Sequence, residues 1–240
     1  MFKRILVPLD GSSLAERAIP HAEKFAHIFG AKIVLLRVIE VASSQENAPF
    51  IDPLNWQIRK TEAELYLKET AEKTRTQLSS YSPDNSSPNV GRVEYYIREG
   101  RIAENIIDFA HSEDIDLLII STHGKGGLSR WNTSSVTQKV LKMIYLPVLL
   151  VRSYYGTESD DSNLFYQRIL IPTDSSRRAE CVFSAALALA NGENSFQTSR
   201  VAAPGVEQEG ELLPPVEPTK LVFVSILKKP ELPLPEPYSE

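Results

Sequence analysis

Five short apolar runs alternate with stretches of helical periodicity, and few folds accept that order. The runs are Ile5–Leu9, Lys32–Val38, Arg92–Arg98, Asp116–Ser121 and Pro147–Arg152. Several are apolar on both faces, as strands of a parallel sheet covered by helices on either side should be. Between the first two, Ala18, Ala22, Phe25, Ala26 and Phe29 repeat at helical spacing. That predicts a helix over Leu14–Phe29, with Gly30 where a terminating glycine belongs. Ser13 and Glu16 have the S-x-x-E spacing of a capping box. Gln57–Leu78 reads as a charged helix; Ile102, Ile106, Phe109 and Ala110 mark a third, and Val136, Val140 and Ile144 a fourth. Val41–Asn55 and Ser79–Gly91 read as polar, proline-containing loops. Strands and helices alternating through short crossovers predict an α/β fold: a five-stranded parallel open sheet with helices on both faces.

The opening of the chain then recurs. Arg4–Ser12 returns as Arg168–Ser176, and the helix positions Ala18, Ala22, Phe25 and Ala26 return as Val182, Ala186, Leu189 and Ala190. Lys32–Leu35 returns as Lys220–Phe223. The expected organisation is a complete domain over 1–153, a linker over 154–164 and a partial βαβ repeat over 165–227. A polar insert interrupts the repeat at about 192–219, and a proline-rich tail follows over 228–240. Half of the 16 prolines lie beyond Val201, so the insert and tail are expected to be mobile or extended.

A net charge of −5 without a basic patch argues against a nucleic-acid partner. No segment approaches the roughly 20 apolar residues of a membrane span. Lys3 and Arg4 precede an apolar run that Asp10 stops at once, unlike a signal peptide, so no membrane association and a cytoplasmic location are expected. The single cysteine, Cys181, excludes an internal disulfide, and its apolar neighbours Ala179 and Val182 predict a buried, inert thiol. His21, His27 and His111 fall on predicted helices at no ligand-pair spacing.

In an open parallel sheet, ligands bind at the carboxyl ends of the strands, near the point where strand order reverses. Three segments converge there: Pro8-Leu9-Asp10, Val38, and the loop Ser121-Thr122-His123-Gly124-Lys125-Gly126-Gly127. Glycines let backbone N–H groups approach an anion, and the following helix N-terminus adds its dipole. Lys125 adds a charge, and a carboxylate such as Asp10 suits sugar hydroxyls. These features outline a nucleotide site. Neither a Walker A sequence nor a G-x-S-x-G elbow occurs. Two competing readings are a brace role for Asp10 in its own turn, and His123 as a base beside Ser121 or Ser135 with Asp10 orienting it.

The stretches Ile5–Ser12, Asp116–Gly124 and Pro147–Arg152 resemble, in order over Met1–Ser153, the universal stress protein family. Arg168–Ala190 and Lys220–Leu227 resemble only its first portion. ATP-binding members carry a Gly-x2-Gly-x9-Gly-Ser/Thr signature. Its positions fall here on Ser121, Gly124, Ser134 and Ser135, so serine replaces two of the three glycines. Each added Cβ is costly where positive φ or close backbone approach is required. The resemblance implies a Rossmann-like fold of the adenine-nucleotide-binding type, acting as a stress-response module that binds ATP with Mg2+. Asp10 and Val38 would hold ribose and adenine, and Gly124, Gly127, Ser134 and Ser135 would cradle the phosphates. Pro8, Leu9, Ser121, Thr122, His123 and Val136 would complete the site. It also implies a homodimer through the strand at 147–152. Two other functions remain open: a member that binds no nucleotide and works through protein contacts, and a slow ATP hydrolase.

Overall fold

The computed structural model describes residues 1–40, 53–81, 92–123, 135–153, 164–174, 176–201 and 218–225. The chain divides into two compact units, Met1–Leu164 and Phe165–Glu240.

In the first unit, β1 (Arg4–Pro8), β2 (Lys32–Ile39), β3 (Val93–Glu99), β4 (Leu117–Ser121) and β5 (Val148–Val151) form one sheet in the order β3-β2-β1-β4-β5. Every pairing is parallel. The chain winds outward from β1 to β3 and then returns to the other side of β1. Strand order therefore reverses between β1 and β4, and a crevice must open above their carboxyl ends. The helices are α1 (Ser13–Glu16), α2 (Ala18–Phe29), α3 (Pro53–Tyr81), α4 (Ile102–Ser112) and α5 (Ser135–Met143).

Both faces of the sheet are covered, as the doubly apolar strands require. Leu6, Val34, Leu36, Leu118 and Ile120 are buried with Ala103, Ile106 and Phe109 of α4 and Val140 of α5. The opposite face of β1 and β2 meets α2 and α3. Long, charged α3 turns Ala63, Leu67, Ala71, Thr74 and Leu78 inward, a stripe at spacings of three and four. Its start at Pro53 lies inside the expected loop; proline is well suited to a first helical turn.

The first helix departs from expectation. It is two helices, because Pro20 has no N–H to donate and its ring would crowd the carbonyl of Glu16. The cap is Ser12, one residue before the predicted Ser13, and its hydroxyl accepts from Ala15 N–H at 3.2 Å. Glu16 closes no capping box; its carboxylate accepts instead from the Tyr66 hydroxyl at 2.8 Å. Helix α2 ends as expected, with Gly30 in the left-handed region at φ 65°.

The second unit pairs β6 (Arg168–Thr173) with β7 (Lys220–Ser225) in parallel, joined through a chain segment that includes α6 (Arg177–Val201). Its register, Arg168 opposite Lys220 through Pro172 opposite Val224, matches Arg4 opposite Lys32 through Pro8 opposite Leu36. Asp174 accepts from Ser176 N–H, and Ser176 Oγ accepts from Ala179 N–H, as Asp10 and Ser12 do in the first unit. Ile171, Ala186 and Ala190 are buried, and the rings of Phe183 and Phe223 meet edge to face at 5.3 Å. Helix α6 continues through Val201, ten residues into the segment expected to be mobile or extended. No proline interrupts that segment before Pro204, and Glu193, Gln197 and Arg200 are competent helix formers. Cys181 is exposed, not buried. It lies five residues before Ala186, about 140° around the helix from the packed side. Among the described residues, no helix is long and apolar enough to cross a membrane.

Candidate functional site

A cavity of about 520 Å³ opens at the carboxyl ends of the strands. Pro8, Leu9 and Asp10 after β1 line one part of it, and Val38 of β2 another. Ser121 and His123 follow β4, and Ser135 and Val136 come from the first turn of α5. The reversal of strand order thus gathers most of the positions singled out from the sequence. Thr122 does not line the cavity, and Gly124, Gly127 and Ser134 lie outside the described residues, as does Lys125.

The turn after β1 is held by its own side chains. Asp10 Oδ1 accepts from Ser12 N–H at 2.9 Å and from Ser12 Oγ at 2.6 Å. Gly11 between them has φ 78°, a conformation that L side chains rarely adopt. Asp10 therefore braces its turn while also lining the cavity.

The segment after β4 is tied down as firmly. His123 is 6% exposed, and its Nδ1 lies 2.6 Å from Ser153 O and 2.8 Å from Thr122 Oγ1. A carbonyl oxygen only accepts, so Nδ1 carries a proton, and in the neutral ring Nε2 keeps its lone pair. Among the described residues, that buried Nε2 has no hydrogen-bond partner, and His123 lines the cavity. Ser153, not Asp10, orients the imidazole, so the arrangement for a Ser-His-Asp relay is absent at this ring. The Ser121 hydroxyl donates to His123 O, and Ser121 O accepts from Thr137 Oγ1 at 3.1 Å. Ser121 lies within β4 and is absent from the positive-φ positions, so its Cβ meets no backbone strain.

The sequence reading missed the outer wall. Ile102 and Ile106 of α4 extend the apolar side beside Val38 and Ile120, a surface suited to a flat ring. Across from them are Arg37, Glu40, Arg59 and Glu62. After Lys32 at its start, Arg37 is the polar residue that interrupts an otherwise apolar strand, and that interruption was the available signal. Among the described residues, no three His, Cys, Asp or Glu side chains gather as a metal-binding group.

The model of the universal stress protein family matches residues 1–152. The chain belongs to the universal stress protein family. Universal stress protein MJ0577 of Methanocaldococcus jannaschii is 31% identical over 158 residues, covering 63% of this chain and 96% of that protein. A Thermus aquaticus universal stress protein, from the QAH/OAS sulfhydrylase 3′ region, is 32% identical over 152 residues, covering 63% of this chain and 100% of its own. A solved universal stress protein from Archaeoglobus fulgidus is similar in fold alone, at 16% identity and a TM-score of 0.57. That likeness spans 93% of this chain and 77% of the other.

Proposed function

We propose that this universal stress protein binds an adenine nucleotide, ATP with Mg2+, in the cavity above β1 and β4, and that it works in the cytoplasm as a stress-response module. The observation that carries the reading is the Nε2 of His123, buried and without a partner among the described residues, on a residue that lines the cavity together with the first turn of α5. An orphaned buried nitrogen is costly unless a ligand meets it. The residues present fit such a ligand: an apolar wall for a base, Asp10 for sugar hydroxyls and a helix N-terminus for phosphate. Magnesium would arrive with the triphosphate.

This reading is one of binding rather than turnover, because the Ser121 hydroxyl is already engaged by the His123 carbonyl and a carbonyl, not a carboxylate, backs the His123 ring. Mass spectrometry of nucleotide released from the purified protein tests it directly. A thermal shift with ATP and Mg2+ is the second test, since a ligand bound only by the native state raises the melting temperature. No released nucleotide together with no shift at millimolar ATP would promote the rival reading, a member acting through protein contacts alone. Phosphate release would promote the hydrolase.

The same reading includes a homodimer. β5 is an edge of the five-stranded sheet, with Leu150 in it and Leu141, Met143 and Tyr145 just before it all exposed. Apolar edge strands invite pairing. We read β6–α6–β7 as a partial second copy of the domain, on the strength of its matching register and turn bonds.

A further inference from the structure

We infer that the cavity has a second anion subsite, at the Arg37 corner, that takes a phosphate carried on the ribose ring of the bound nucleotide. The inference rests on the nucleotide reading above and specifies which nucleotides the site prefers. Arg37 lies between Leu36 and Val38, the one buried in the α4 layer and the other packed against it, so its stem leaves β2 on the opposite face. There its guanidinium carbon sits 5.2 Å from the centroid of the Tyr66 ring. A Cβ placed on Gly11 would come within 2.8 Å of Nη1. The guanidinium is thus held between an aromatic ring and the turn that carries Asp10, on the wall of the cavity.

Among the described residues, no carboxylate pairs with Arg37 and no acceptor takes a hydrogen bond from it. Tyr66 supplies no negative charge, since its hydroxyl keeps its proton and donates it to Glu16. Glu40 and Glu62 line the same cavity but are exposed, and the exposed Arg59, one turn before Glu62 on α3, adds a second cation. A planar cation with five N–H donors, half-buried and fixed in place, matches phosphate in charge and geometry.

The other parts of a nucleotide have other candidate partners. Val38, Ile102 and Ile106 suit the base, and the start of α5 suits the 5′-phosphates. What remains beside Arg37 is the ribose, because Gly11 joins it to Asp10. In α/β nucleotide sites a carboxylate reads free ribose hydroxyls, and a nearby arginine accommodates a phosphate there. Arg37 is then the residue that selects for such a ligand.

The test is titration calorimetry on the full chain with AMP, adenosine 3′,5′-bisphosphate and adenosine 2′,5′-bisphosphate. At least one bisphosphate should bind about tenfold to a hundredfold tighter than AMP, and the better one identifies the hydroxyl that carries the phosphate. Arg37→Gln should bring that ratio to about one, while Arg37→Lys keeps part of it. AMP binding with no advantage for either bisphosphate overturns the subsite and leaves the nucleotide reading standing. An advantage that survives in a natively folded Arg37→Gln chain assigns the phosphate elsewhere and also overturns it. If AMP, ATP and both bisphosphates all fail to bind, the nucleotide reading falls and the subsite with it.

Discussion

Glu23 offers a prediction whose size can be worked from its surroundings. It lies on α2, a carboxyl only 3% exposed, and burial raises its pKa from 4.5 to about 8. Below pH 4.5 native and unfolded chains both hold the proton, and Glu23 contributes no pH dependence. Between 4.5 and about 8 the unfolded chain releases the proton and the native chain keeps it, so stability falls as pH rises. Above that window both forms are ionised and the loss is constant. An interval of about 3.5 pH units, at about 1.36 kcal/mol each, corresponds to a loss of about 5 kcal/mol. Gln77 offsets part of it. With its amide turned to donate, its nitrogen lies 2.6 and 3.2 Å from the two carboxylate oxygens. A hydrogen bond to a charged group contributes about 1.5–3 kcal/mol. Glu23→Gln should therefore stabilise the protein by about 2–3 kcal/mol at pH 9 and leave it unchanged at pH 4. Urea denaturation followed by circular dichroism at both pH values measures this. His27, lowered by burial and by Lys24, shifts stability in the opposite sense, but it is present in both proteins and cancels in the difference. If Glu23→Gln is less stable than the parent at pH 9, or follows the same pH curve, the buried carboxyl does not behave as argued.

Other outcomes follow from the site. Asp10→Ala should remove any ATP-induced thermal shift and also destabilise the chain by about 1 kcal/mol, since Ser12 loses both bonds that brace its turn; denaturation without nucleotide isolates the second effect. Ser121→Gly should cost about 1–2 kcal/mol and leave ATP affinity within about threefold, because the serine occupies ordinary strand backbone and its hydroxyl bonds inward. A large gain in affinity by calorimetry would show that its Cβ crowds the ligand after all. Leu150→Lys, on the exposed edge strand, should turn a dimer into a monomer in light scattering with little change in melting temperature. A parent already monomeric at tens of micromolar would dispose of that pairing.

Much of the architecture was legible because apolar runs and helical stripes are local signals. Ile5, Leu6 and Val7 announce a strand buried on both faces, and Ile106, Phe109 and Ala110 announce the packed side of α4. What escaped was set by contacts between distant residues. Nothing in the neighbourhood of Glu23 says that Gln77, on another helix, will cover it. Cys181 sits among apolar residues yet falls on the outer side of α6, since rotation around the helix, not sequence proximity, decides burial. The site divides the same way. Asp10, Val38 and His123 stand where strands end, which sequence can locate. Arg37 and the α4 wall come from faces whose approach to the crevice depends on how β2 and α4 pack.

The bonds around Thr122 have a consequence for how β4 and the edge strand beside it communicate. Thr122 N–H donates to Val151 O at 2.8 Å, Ser153 N–H donates to Thr122 Oγ1 at 3.1 Å, and Ser153 O holds the His123 ring. The residue that faces the cavity is thus stitched to the exit of the outermost strand by three short links, all of them buried. A push on the imidazole has no slack to absorb it before it reaches the backbone beyond Val151. Occupancy in the crevice and the path by which the chain leaves the sheet are two readings of one mechanical joint, in which Thr122→Val would cut the Oγ1 link and leave the two carbonyl links in place.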